Sequence, residues 1–145
     1  MRRFLLCASA LVAVAGAGML AQGKVTTVEE YAKLMKANAQ ANGATNKAIG
    51  SGMFADARMQ VATLRQNYMA LQGFWADKKQ ADAITLVKDG LTRLDALDKL
   101  LSAPAPDQMA AQAAAKEFGA TCGGCHKAYR EGDAQSGFKF KAGVI

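Results

Sequence analysis

From Phe54 to Trp75 the apolar side chains recur at alternating steps of three and four: Phe54, Ala57, Val61, Leu64, Tyr68, Leu71 and Trp75. That spacing belongs to a helix with one buried face, because 3.6 residues per turn bring such positions to one side. A stripe of this kind must be covered, and the rest of the chain supplies the cover. Val28, Tyr31, Leu34, Met35 and Asn38 follow one face of an earlier helix. It starts at Thr26 or Thr27, where Thr27-Val28-Glu29-Glu30 is a capping box, and stops at Gly50-Ser51-Gly52. After a turn at Asp77-Lys78-Lys79-Gln80 that recaps the chain, Ile84, Val87, Leu91, Leu94 and Leu101 mark a third helix. Leu97 and Leu100 widen its stripe, Asp98 interrupts it and Gly90 weakens the helix slightly. Ala103-Pro104-Ala105-Pro106 is the clearest break, since proline has no amide hydrogen and disfavours helix before it. Asp107 then caps a fourth helix from about Gln108 to Arg130, with Met109, Ala113, Phe118, Cys122, Cys125 and Tyr129 on or near one face and Gly132 as a stop. Period-two alternation occurs only in the short stretch Phe138-Lys139-Phe140-Lys141. The expected fold is all-α, an antiparallel four-helix bundle running up-down-up-down.

The helices do not begin at the first residue. Arg2 and Arg3 open the chain, Phe4 to Val14 is apolar, and small residues follow to Ala21. This layout predicts an export signal over residues 1–21, too short and too Gly-rich at its end for a membrane span. Expected divisions are then a helical domain at 22–132 and a polar C-terminal tail at 133–145 with a small apolar end. A chain of 145 residues excludes a large multidomain enzyme, and 51% hydrophobic content excludes a disordered one. The net charge is +6, but no run of Lys and Arg interleaves with aromatics, so nucleic acid is not an expected partner.

Removal of the leader takes Cys7 with it and leaves Cys122 and Cys125, beside the only histidine, in Cys122-Gly123-Gly124-Cys125-His126. C-x-x-C-H reads as a site for covalent attachment of one haem c. Two thiols can form thioethers with the two haem vinyl groups. On a helix Cys122 and His126 stand at i and i+4, so the imidazole falls under the iron as proximal ligand. Gly123 and Gly124 let the macrocycle edge approach. Three other readings compete. A redox C-x-x-C usually sits in a βαβ setting, and no strands flank this one. Zinc needs a fourth ligand, which the chain lacks. The third is a coincidence of two buried thiols, a haem-free thiol or disulfide protein.

In small class I cytochromes c the motif lies near the N-terminus, whereas here it lies on the last helix. The run Cys122-Gly123-Gly124-Cys125-His126-Lys127-Ala128-Tyr129-Arg130 resembles the class II c-type cytochromes, the cytochrome c-prime family, over about residues 24 to 132. That resemblance implies a distal residue on the first helix. The low-spin His/Met branch looks similar, with Leu34-Met35-Lys36 followed by Asn38, which makes Met35 the distal iron ligand. The alternative is a five-coordinate, gas-binding (NO or CO) haem, with Met35 or Leu34 merely covering the open face. Tyr31 stands where many high-spin relatives carry Arg.

Of the other methionines, Met59 and Met69 read as core or rim, and Phe74 and Trp75 as core at the bundle end. Arg130 is a candidate partner for a haem propionate, or simply a last-turn arginine favoured by the helix dipole. The expected role is a periplasmic carrier of single electrons between redox protein partners, monomeric or homodimeric, with no membrane span once the leader is removed. The apolar pocket would include Leu34, Val61, Leu91 and Phe118. Lys36, Lys127 and Arg130 form either a steering patch or an ordinary charge spread. No nucleophile–base arrangement or carboxylate pair predicts an enzyme.

Overall fold

A computed structural model describes residues 24–133 and 135–145. The expected leader, residues 1–21, lies outside the described residues. The elements are α1 (Val28–Gly50), α2 (Phe54–Asp77), α3 (Ala81–Leu101) and α4 (Gln108–Tyr129), followed by the short strands β1 (Arg130–Glu131) and β2 (Lys139–Phe140). Each helix packs against the next, and α1 closes the ring against α4. The architecture is an antiparallel four-helix bundle, as the periodicity requires. Among the described residues no helix is long and apolar enough to cross a membrane.

Local chemistry sets the helix ends. Thr27 Oγ1 accepts from the Glu30 amide at 3.1 Å, and the Glu30 carboxylate accepts from the Thr27 amide at 3.0 Å, completing the capping box. Asp107 Oδ1 accepts from the amides of Met109 and Ala110 at 2.8 and 3.0 Å after the proline break. The turn before α3 is present, with Lys79 in the left-handed region at φ 56°. Gln80 stands at the N-cap without capping the helix. Its amide instead donates to the Val144 carbonyl at 2.9 Å.

The α2 stripe is buried as expected, with Trp75 and Leu64 fully enclosed and only Phe54 partly exposed. The other stripes need correction. Val28 is 44% exposed, and Met109 is 80% exposed. Ala113 is exposed as well. The buried line of α4 is Ala111, Ala115 and Phe118 at i, i+4 and i+7, and its two alanines let neighbouring helices approach closely. Asp98 interrupts the α3 stripe as expected, turning outward to accept from Arg58 Nε at 2.9 Å. Arg65 to Asp95 at 2.7 Å repeats that tie between α2 and α3. Both pairs are half exposed, so each contributes about 0–1 kcal/mol and chiefly guides which helices pair.

Beyond Gly132 the chain does not run free. β1 and β2 form an antiparallel ribbon pairing Arg130 with Phe140 and Glu131 with Lys139. Phe140 folds onto the bundle end against Tyr31 (ring centroids 4.9 Å apart), Trp75 (5.5 Å) and Phe74 (6.1 Å). The expected polar tail is thus a folded closure of the domain, and it coincides with the one stretch of period-two alternation.

Gly90 is required for space. It is buried on α3, and a Cβ built there would overlap the Tyr68 ring. Helix propensity alone favours Gly90→Ala by about 1 kcal/mol, whereas overpacking costs about 1–3 kcal/mol. Urea denaturation of Gly90→Ala should therefore show a net loss of up to about 2 kcal/mol. Gly43→Ala, where nothing lies within 4 Å, should gain about 0.5–1 kcal/mol.

Candidate haem-attachment site

Cys122, Cys125 and His126 occupy the last two turns of α4, all three half-buried, with Gly123 and Gly124 exposed between them. Two adjacent glycines weaken a helix, and this one is secured from the far side. The Lys141 amide donates to the Tyr129 carbonyl at 3.0 Å, and Lys141 Nζ donates to the Lys127 carbonyl at 2.7 Å. The C-terminal ribbon thereby satisfies carbonyls that a helix end leaves unpaired. Both thiols are free. A Cβ at Gly123 would meet nothing within 4 Å, and one at Gly124 only Leu86 at 3.6 Å, so the face between the thiols is smooth.

Contacts between helices set the relative heights of the residues. Tyr68 on α2 meets Cys122 on α4, its hydroxyl 3.7 Å from Sγ, and the two are 54 positions apart. The Trp75 and Tyr129 rings, 4.9 Å apart, keep the same offset, so α2 and α4 run parallel across the bundle. Between α1 and α2, Tyr31 meets Phe74 (4.7 Å), and seven residues on Asn38 meets Asn67 (2.8 Å). These registers put Met35 level with Ala70 on α2, and Ala70 level with Gly124 on α4. Met35 therefore stands at the height of Cys125 and His126. It is half-buried against the core, on the helix across the least closely packed of the four seams.

Burial sets the protonation states. Desolvation, followed by the nearby Arg130 charge, lowers the His126 pKa from its ordinary 6.5. The imidazole is therefore neutral at pH 7, with a lone pair to offer. Desolvation, with Cys122 second, pushes the Cys125 thiol up to about 11. Burial also raises Tyr68 well above the usual phenol range, so its hydroxyl keeps its proton.

Arg130, expected as the last residue of the helix, lies one residue past its end in extended backbone, because α4 stops at Tyr129. Its guanidinium covers the Phe138 ring, 4.0 Å from the centroid. Met59 and Met69 are rim, 60% and 55% exposed. Leu34, Val61 and Phe118 are buried, and Leu91 is partly so. Tyr68 is the neighbour of the motif that sequence reasoning missed. Its place in the α2 stripe was evident, but nothing local links it to a residue on α4.

A family model described as Cytochrome C' matches residues 9–130. The chain belongs to the cytochrome c′ family. No curated protein and no solved structure gives a match. Membership makes this a c-type cytochrome and implies covalently bound haem c. The residues of this cytochrome c′ chain fit that group. It offers two free thiols and a neutral imidazole on one helix, a side-chain-free edge between them, and an opposed helix across a loose seam.

The His126 shift carries a sign that can be checked on the haem-free chain. Because folding lowers its pKa, the unfolded chain binds more protons near pH 6. The contribution is complete above pH 6.5 and is lost as pH falls through the folded value. Urea midpoints should drop between pH 7.5 and 5.5, and His126→Gln should flatten that slope. The lowered carboxyls of Glu30 and Asp133, both below ordinary values near 4, act only at more acid pH.

Proposed function

We propose that this cytochrome c′ chain is a periplasmic electron carrier in which His126 and Met35 would hold the haem iron. The observation that carries the reading is the height of Met35, level with Cys125 and His126 on the facing helix. Haem c, when bound, supplies one-electron Fe(III)/Fe(II) chemistry. The protein's part is to hold and to tune. Cys122 and Cys125 offer the thiols for two thioethers, which prevent loss of the group outside the cytoplasm. His126 presents a neutral nitrogen without first losing a proton. Met35 offers a soft thioether sulfur, which favours the ferrous state. Leu34, beside Met35, and Phe118, one turn before Cys122, are buried, and apolar surroundings disfavour the extra charge of the ferric state. Both ligands stand on helices, which limits rearrangement as the electron comes and goes.

The export layout of residues 1–21 supports a periplasmic setting. The chain is read as a carrier for redox protein partners and not as an enzyme. Lys36 and Lys127 are exposed and suit an acidic partner. Arg130, whose charge reaches His126, is suited to balance a propionate.

Optical and EPR spectra of the haem-loaded protein test the ligand. The wild type should be low-spin, and Met35→Ala should convert it to a high-spin form that binds CO readily. A wild type already high-spin, and unchanged by Met35→Ala, would reject Met35 as ligand and assign an open-faced, gas-binding role instead.

A further inference from the structure

Asn67 lies inside the bundle where an α2 stripe would ordinarily place an apolar residue. It is fully buried, and its Nδ2 donates to Asn38 Oδ1 on α1 at 2.8 Å. Its own Oδ1 is buried without a hydrogen-bond partner. An unpaired buried acceptor costs more than one such hydrogen bond returns, so the pair is a poor source of stability. A lone amide pair in a helical core does have another use. It makes one alignment of two helices better than its neighbours, at some cost in stability.

The seam here needs such a device. Between Leu34 and Ile49 the α1 core positions are Ala41, Thr45 and Ala48, a run of small side chains with little relief. The Thr45 hydroxyl turns back on its own helix to the Ala41 carbonyl at 2.9 Å. A slide of about one turn, roughly 5.4 Å, would bring Leu34 opposite Asn67 in one direction and leave both amides unpaired. In the other direction it would bring Asn42, whose side chain and carbonyl already engage Asn46. The ends of α1 have their own ties. Tyr31 joins the aromatic cluster, and Gln108 donates to the Ile49 and Gly50 carbonyls at 2.8 and 2.9 Å. The amide pair holds the middle.

We propose that Asn38 and Asn67 form a register lock between α1 and α2, and that through it they position Met35, which lies one turn before Asn38 on the same face. Its spectral readout rests on Met35 as distal ligand; the register claim itself does not.

The test replaces both amides in the haem-loaded protein, Asn38→Leu with Asn67→Leu. The thermal midpoint is expected to hold or to rise by roughly 3–5 °C. The optical spectrum should turn from a single low-spin form to a low-spin and high-spin mixture. Amide exchange across α1 should split into two populations. A single unchanged spectrum with uniform α1 exchange overturns the proposal, as does a fall in midpoint with both signals unchanged. Asn67→Ala only removes atoms, folds more safely and carries the same spectral and exchange expectations. If the wild type is already high-spin, the reading of Met35 has failed, and the α1 exchange pattern alone decides the register claim.

Discussion

Trp75 is the fixed point of this molecule. It is fully buried near the C-terminus of α2, with ring centroids at 5.7 Å from Tyr31 on α1, 4.9 Å from Tyr129 on α4 and 5.5 Å from Phe140 on the C-terminal ribbon. One side chain therefore sets the heights of three elements. Burying a large apolar side chain contributes about 1.5–3 kcal/mol, and well-placed aromatic pairs add about 0.5–1.5 kcal/mol each. Exposed ion pairs such as Arg65–Asp95 contribute about 0–1 kcal/mol. The aromatic end, more than the charged surface, determines where α1 stands against α4. The height of Met35 relative to His126 follows from that together with the Asn38–Asn67 contact between α1 and α2.

The motif has its chemistry prepared by position. Half-burial keeps the imidazole uncharged at neutral pH and the Cys125 thiol protonated. A metal ligand needs the first. The glycines that would weaken α4 leave a bare edge for a flat macrocycle, and the ribbon after Gly132 secures the carbonyls those turns leave exposed. The C-terminal segment thus belongs to the site as much as to the fold.

Much of this was legible in residue order, for reasons that differ by element. The α2 stripe is made of large side chains at strict helical steps, and nothing in the tertiary structure competes with it. Thr27 with Glu30, and Asp107 after the proline pair, are local chemistry and behave as local chemistry should. Cys122, Cys125 and His126 are legible because three reactive residues share two turns. The failures share a cause. Val28 and Met109 sit near helix starts, where few neighbours remain to cover them. Two of the three buried positions of α4 are alanines, which hydropathy does not distinguish from exposed alanines such as Ala113. Phe140 on the aromatic end, Tyr68 beside Cys122 and Asn67 against Asn38 are meetings between distant segments. No local pattern encodes them, although the alternation around Phe140 was a visible hint.

The account stands or falls on covalent attachment at α4. Protein matured in a haem-loading, exporting host can be digested with trypsin and the peptide Glu117–Lys127 weighed. The expected mass is that of the peptide plus one haem, with no thiol left to alkylate. A peptide of unmodified mass with both Cys122 and Cys125 open to alkylation would contradict the account.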